Sequence, residues 1–308
     1  MLAVVAPGQG SQKPGMLAPW LELPHLATRI DGFGEAAGLD LVRLGTTATA
    51  DEIKDTAVTQ PLVVAAALLA AGELGLPPGT LIAGHSVGEL AAAAVAGVLD
   101  ADRATSLAGV RGRAMAQACG LEPTSMAAVL GGDPDVVLAA LADLDLVGAN
   151  RNGGGQIVAA GAAAAIAALQ ADPPAGTRVM PLPVSGAFHT HYMASAEAAL
   201  ADVVGDLTAA DPTYPLLTNA TGDPVATGSE YLALLVRQVT RPVRWDLCMA
   251  TFARLGVTGV LELPPAGALV GLVKRELRGT ATMALKSPAD LPAAAAFVAE
   301  HSAGGAAR

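Results

Sequence analysis

The chain is poor in cysteine, in aromatic side chains and in charge. Its 308 residues include two cysteines, 3% aromatics and 15% charged residues. Cys119 and Cys248 have no metal-ligand spacing and are too few for a disulfide framework, so both read as reduced, buried thiols. With few aromatics, much of the 52% hydrophobic share is alanine, which implies a small-residue, helix-friendly core. Long apolar runs are missing as well. The stretch from Leu62 to Gly72 stops at about a dozen residues, short of the roughly 18 to 20 that cross a bilayer. The opening Met1-Leu2-Ala3-Val4-Val5-Ala6-Pro7 has no basic segment and soon meets a glycine turn, unlike a secretory signal, and the protein reads as cytoplasmic. A net charge of -10 argues against nucleic acid as a partner.

What the chain does have is Gly84-His85-Ser86-Val87-Gly88. An apolar run, Thr80-Leu81-Ile82-Ala83, leads into it, and Glu89 to Ala96 follows as a helix. Strand, sharp turn and helix in that order describe a nucleophile elbow, in which serine takes a strained backbone and any Cβ on the flanking glycines would collide with strand or helix. The hydroxyl then projects at a helix N-terminus, where free backbone N–H groups, including that of Val87, can meet a developing oxyanion.

The rest of the chain supplies partners. Leu2 to Ala6 reads as a buried strand running into the loop Pro7-Gly8-Gln9-Gly10-Ser11-Gln12, at the sheet edge where sites of open α/β folds collect. Thr59-Gln60-Pro61 opens a helix with Pro61 in its first turn. The helix from Ala101 to Ala118 sets Leu107, Val110, Ala114 and Ala118 on one face, and Arg111 falls within that stripe while Arg113 points away. A cation turned inward needs an anionic or polar partner. From Ser125 to Val184 the order is strand, helix, strand, strand, helix, strand, which predicts a ferredoxin-like insert with glycine hinges at Gly131-Gly132 and Gly153-Gly154-Gly155. The domain reading is a discontinuous core, 1–124 and 185–308, interrupted by the insert 125–184. After it, Ser185-Gly186-Ala187-Phe188-His189-Thr190-His191 is a loop with two of the five histidines. His25 lies in a polar opening segment, His85 in the elbow and His301 in a ragged tail, so His189 or His191 is the base available to Ser86. A strand over Tyr214 to Asn219, helices over Glu230 to Val239 and Asp246 to Leu255, a strand over Val257 to Leu263 and a helix ending at Arg278 complete the α/β pattern. Ser302 to Arg308 reads as disordered.

Taken together, Pro7-Gly8-Gln9-Gly10-Ser11-Gln12, Gly84-His85-Ser86-Val87-Gly88-Glu89, Arg111-Gly112-Arg113-Ala114-Met115 and Gly186-Ala187-Phe188-His189 resemble, in order and spacing, the malonyl-CoA:acyl-carrier-protein transacylases. The resemblance covers nearly the whole chain and implies an α/β-hydrolase-like core with a parallel sheet. It implies Ser86 as the acylated nucleophile, His189 as its base, and the backbone carbonyl of Gln238 as the group that orients His189. It further implies an oxyanion hole from the N–H groups of Gln9 and Val87, Arg111 as the grip on the malonyl carboxylate, and Phe188 before the base as a malonyl-selective feature. Neither metal nor redox cofactor is implied. The partners would be a coenzyme A thioester and the phosphopantetheine arm of an acyl carrier protein, and the enzyme would act as a monomer. Lys274, Arg275 and Arg278 on a late helix would meet an acidic carrier.

Two features depart from the family pattern. Glu262-Leu263-Pro264-Pro265-Ala266 replaces the glycines of a late turn, so the loop near the site would differ in shape. His191 stands beside the base without a role of its own. The other readings are a serine esterase, a polyketide-pathway acyltransferase using another acyl-CoA, and a non-catalytic carrier-binding module; only a dicarboxylic thioester needs the buried cation.

Overall fold

A computed structural model describes residues 1–184 and 186–302, so Ser185 and residues 303–308, part of the tail read as disordered, lie outside the described residues. Strand β1 (Leu2–Ala6) is followed by α1 (Ala18–Leu21), α2 (Pro24–Ala37), α3 (Leu41–Thr46), α4 (Ala50–Ile53) and α5 (Thr56–Ala71). Next come β2 (Leu81–Gly84), α6 (Gly88–Val95) and α7 (Ala101–Cys119). A second unit follows: β3 (Thr124–Gly131), α8 (Pro134–Asp143), β4 (Val147–Gly153), β5 (Gln156–Ala162), α9 (Ala163–Ala171) and β6 (Thr177–Pro181). The chain ends through α10 (Ala194–Gly205), α11 (Gly228–Gln238), α12 (Trp245–Arg254), β7 (Gly259–Glu262), α13 (Ala268–Glu276), β8 (Ala281–Ala284) and α14 (Leu291–Ser302).

Two sheets organise these elements. The first is parallel throughout, in the order β2-β1-β7-β8, with Ala6 opposite Gly84 and Val5 opposite Glu262. Every residue of β1 is buried, as expected of a parallel strand covered by helices on both faces. The second sheet is antiparallel, in the order β4-β5-β3-β6. Its helices α8 and α9 cover one face through Val137, Leu141, Ile166 and Leu169. Met126, Ala149, Val158 and Ala160 belong instead to the cluster that fills the main core, so the two units share apolar packing. Among the described residues no helix is long and apolar enough to cross a membrane.

Local chemistry explains the element ends. Asp55, Asp100 and Asp133 each accept a first-turn N–H and so begin α5, α7 and α8, where four N–H groups would otherwise lack partners. The helix expected to open at Thr59 therefore starts three residues earlier, and Pro61 lies inside it. The expected strand over Tyr214 to Asn219 reduces to single bridges, Ile82 with Leu216 and Leu217 with Pro224. Gly153, Gly154 and Gly155, all at positive φ, form the tight turn between β4 and β5 and are not hinges at the border of the insert. His301 is not in a loose tail: it is buried on α14, with Nδ1 3.0 Å from the Thr258 hydroxyl, and Ser302 is the last residue of that helix. Of the two thiols, Cys248 is buried but Cys119 is partly exposed.

Candidate active site

The elbow is made by crowding. Between β2 and α6, a Cβ on Gly84 would overlap the backbone of Gly88, and one on Gly88 would overlap the Ala6 carbonyl. Strand and helix can approach this closely only through glycine. Ser86 between them is held at φ 54, a left-handed conformation that side-chain-bearing residues adopt at a cost. Its N–H is held by Asn219 Oδ1 at 2.8 Å, and Asn219 Nδ2 donates to the Gly84 carbonyl at 2.8 Å.

Ser86 Oγ lies 2.8 Å from His189 Nε2. His189 is also left-handed, at φ 61, and its Nδ1 lies 2.7 Å from the backbone carbonyl of Gln238. A carbonyl only accepts, so Nδ1 carries the proton and Nε2 is the acceptor that faces the serine hydroxyl. Burial, reinforced by the nearby Arg111 charge, lowers the His189 pKa to about 3, so the imidazole is neutral at ordinary pH.

Arg111 is buried at 1% exposure. Its NH1 donates to Gln60 Oε1 at 2.7 Å, and its NH2 donates to Gln238 Oε1 at 3.0 Å and to Ser86 Oγ at 3.3 Å. Nε–H is buried and has no partner among the described residues. Burial lowers its pKa to about 10, against the raising effect of Glu89, and it stays charged.

These groups open on a cavity of about 230 Å³. Gln9 and Phe188 line it, as do Met126, Ala128 and Val158 from the antiparallel sheet. Gly8 packs against the elbow so closely that a Cβ there would sit 2.7 Å from the His85 carbonyl, which brings the first glycine loop beside Ser86. Neither the Gln9 N–H nor the Val87 N–H donates a hydrogen bond among the described residues. A larger groove of about 570 Å³ beside α2 and α3 has acidic and apolar walls and no nucleophile–base pair.

Ser86, His189, Arg111, Gln9 and Phe188 thus line one cavity, while Gln238 sits buried behind it, bonded to His189 and Arg111, and Val87 is buried beside Ser86 in the elbow. His191 is exposed and stacked on Tyr192, outside the cavity. Lys274, Arg275 and Arg278 are exposed and do not line it. The late turn was expected near the site, yet Glu262 to Ala266 is also absent from the lining; Glu262 instead accepts the N–H groups of Gly267, Leu269 and Val270. Sequence reasoning overlooked Asn219, Gln60 and Asn152. Asn152 accepts from His85 Nε2 at 2.9 Å and donates to Gln156 at 2.9 Å, tying elbow to insert. Gln60 stood in view beside Pro61 but read only as a helix start. Among the described residues no cluster of three His, Cys, Asp or Glu side chains could hold a metal ion.

Comparisons with known proteins agree in direction. Residues 4–294 match the family described as the acyl transferase domain. The chain is 55% identical over 296 residues to a Mycobacterium tuberculosis protein named malonyl CoA-acyl carrier protein transacylase, covering 94% of this chain and 98% of that one. A protein of the same name from Mycolicibacterium smegmatis is 58% identical over 284 residues, covering 90% and 98%. The crystal structure of MCAT from Mycobacterium tuberculosis superposes with a TM-score of 0.92 at 54% identity, over 96% of this chain and 99% of that one. A structure described as a type II PKS acyl-carrier protein in complex with its malonyl-transacylase matches at a TM-score of 0.89 and 31% identity, over 96% and 99%.

Proposed function

The chain belongs to the acyl transferase family and is an acyltransferase, and on that premise we propose that it moves malonyl from coenzyme A to the phosphopantetheine thiol of an acyl carrier protein, supplying extender units for fatty acid synthesis. The observation that carries this reading is the buried Arg111, whose guanidinium lies 3.3 Å from Ser86 Oγ with one N–H unpaired. An esterase acting on neutral acyl groups gains nothing from such a cation. A malonyl thioester brings the carboxylate that completes it.

The steps follow from the hydrogen bonds. His189 Nε2 takes the Ser86 proton as Oγ attacks the thioester carbon, and the imidazolium that forms is held through Nδ1–H by the Gln238 carbonyl. The tetrahedral oxyanion would be met by the N–H groups of Gln9 and Val87, an arrangement worth roughly 3 kcal/mol per donor elsewhere. The C–S bond breaks, the sulfur leaves as coenzyme A thiol with the proton from His189, and a malonyl-serine ester remains. In the second half the carrier thiol gives its proton to His189 and attacks the ester, and Ser86 recovers its hydrogen. Arg111 holds the free carboxylate throughout, and Phe188 closes the cavity beside the acyl chain. Neither half calls for a metal or redox cofactor.

The architecture fits the same reading: a discontinuous α/β-hydrolase-like core, 1–124 and 185–308, around a ferredoxin-like insert, 125–184. The β-α-β-β-α-β order and the antiparallel arrangement β4-β5-β3-β6 support that division. Intact mass after incubation with malonyl-CoA tests the function. We expect one malonyl group on the wild type and none on Ser86→Ala; an unmodified wild type, or an adduct that survives the substitution, overturns it.

A further inference from the structure

Glu89, the second residue of α6, is 1% exposed and lies directly beneath the nucleophile, and the transfer steps leave it unused. Its Oε1 accepts the backbone N–H of Asn219 at 2.6 Å, and its Oε2 accepts Nε2–H of Gln238 at 2.5 Å. Both neighbours reach the site. Asn219 holds the Ser86 N–H through Oδ1, and Gln238 presents Oε1 to Arg111 at 3.0 Å. Gln238 Nε2 also faces the Ser86 carbonyl at 3.2 Å and Asn219 Oδ1 at 3.1 Å, so one side-chain amide joins the acid, the nucleophile and the cation.

The spacing is informative. Among the described residues Arg111 has no carboxylate in direct contact, and its nearest counter-charge is one amide away. A carboxylate only accepts, so it fixes the donating end of Gln238 toward itself and turns the accepting end to Arg111. Direct pairing would fill the guanidinium fork, whereas an interposed amide holds the guanidinium and leaves it open to a second carboxylate. We propose that Glu89 is a positioning residue that, acting through the Gln238 amide, holds Arg111 open for the acid end of a dicarboxylic acyl group and so sets the preference for malonyl over neutral acyl groups. The inference rests on the transfer reading above.

Burial raises the Glu89 pKa to about 8, against the Asn219 N–H and the Arg111 charge, so the carboxylate that fixes Gln238 prevails above that pH and is lost as the pH falls through it. The other titratable groups that face this network titrate elsewhere: Arg111 on α7 at about 10, His189 at about 3, His85 lowered by burial, and Tyr231 on α11 and Cys248 on α12 raised by burial. A change in substrate preference near pH 8 would thus belong to Glu89.

The test compares kcat/KM for malonyl-CoA and acetyl-CoA in wild type, Glu89→Gln, Gln238→Leu and the double variant. Gln238→Leu keeps the backbone carbonyl that faces His189. We expect the malonyl-to-acetyl ratio to fall about tenfold in Glu89→Gln, the scale of one charge-assisted hydrogen bond. It should fall at least as far in Gln238→Leu and no further in the double variant. In the wild type the ratio should fall as pH drops from 9 to 6.5, below the range in which Arg111 loses its charge, and in Glu89→Gln it should stay flat. Equal loss on both substrates, additive effects, or a pH-independent wild-type ratio overturns the proposal. The wild-type profile keeps the test open if a variant fails to fold. A wild type that takes up no malonyl at all counts against the transfer reading instead.

Discussion

The floor and the roof of the cavity are built on opposite plans. The floor, from the parallel-sheet core, is polar and over-determined: Ser86, Asn219, Gln238, Glu89 and Arg111 bond to one another, and few of their hydrogen-bonding groups are spare. The roof, from the antiparallel sheet, is divided: Asn152 bonds to His85 and Gln156 at one side, while Met126, Ala128 and Val158 of β3 and β5 form an apolar wall held by packing. A buried hydrogen-bond network loses function when one member is removed, because its partners are left unsatisfied in a low-dielectric setting. An apolar wall tolerates a change of volume at a moderate cost in stability. On the proposed reading the floor supplies the chemistry and the grip on the acid end of the acyl group, and the apolar wall sets how much bulk fits beside it.

That contrast can be broken by substitution. The largest effect should come from His189→Ala, which we expect to lower kcat for transfer by roughly 10³-fold or more with little change in KM, read by steady-state transfer to a carrier thiol. Because the wild-type imidazole titrates at about 3, its protonation should not slow the free enzyme until the pH falls well below 6. A wild-type kcat/KM profile with a limb near 6.5 that disappears in the variant would contradict this. Next in size, Arg111→Ala should lower kcat/KM for malonyl-CoA about 10²-fold while acetyl-CoA changes only a few-fold, read as a substrate ratio. Equal losses on both would place Arg111 in the structure and not in recognition. The smallest effect belongs to the roof. Met126→Ala should leave kcat for malonyl within a few-fold, admit a branched acyl group several-fold better and cost about 2 kcal/mol in denaturant unfolding. A loss of malonyl kcat as large as that of His189→Ala would erase the distinction between floor and roof.

Sequence made part of this legible. The elbow was readable because strand, crowded glycines and helix are adjacent in the chain, and Arg111 was readable because its helix has a clear apolar stripe. The separate antiparallel sheet showed itself through alternation of strand and helix. Alanine hid much of the rest. In α10 and α14 it occupies every face, so no period marks a buried side, and His301 looked loose although it lies against Gly259. The helices α3 and α4, of 6 and 4 residues, are too short to show a period, although Asp40 and the pair Thr49 and Glu52 cap them. Asn219, Gln60 and Asn152 were invisible because each acts on a residue at least 50 positions away, and only folding brings such polar side chains together.

The acceptor that steadies His189 belongs to the peptide link of residue 238, at the carboxyl end of α11. Peptide oxygens are the same for all twenty amino acids, so no single codon change deletes this one. The partial negative charge of a helix end also lies where a passing imidazolium needs it. Lineages can therefore exchange the letter at 238 and keep the support of the base. What such an exchange puts at risk is the amide's other duty, the bond to Arg111, so drift there would widen the diet of the enzyme before it silenced it.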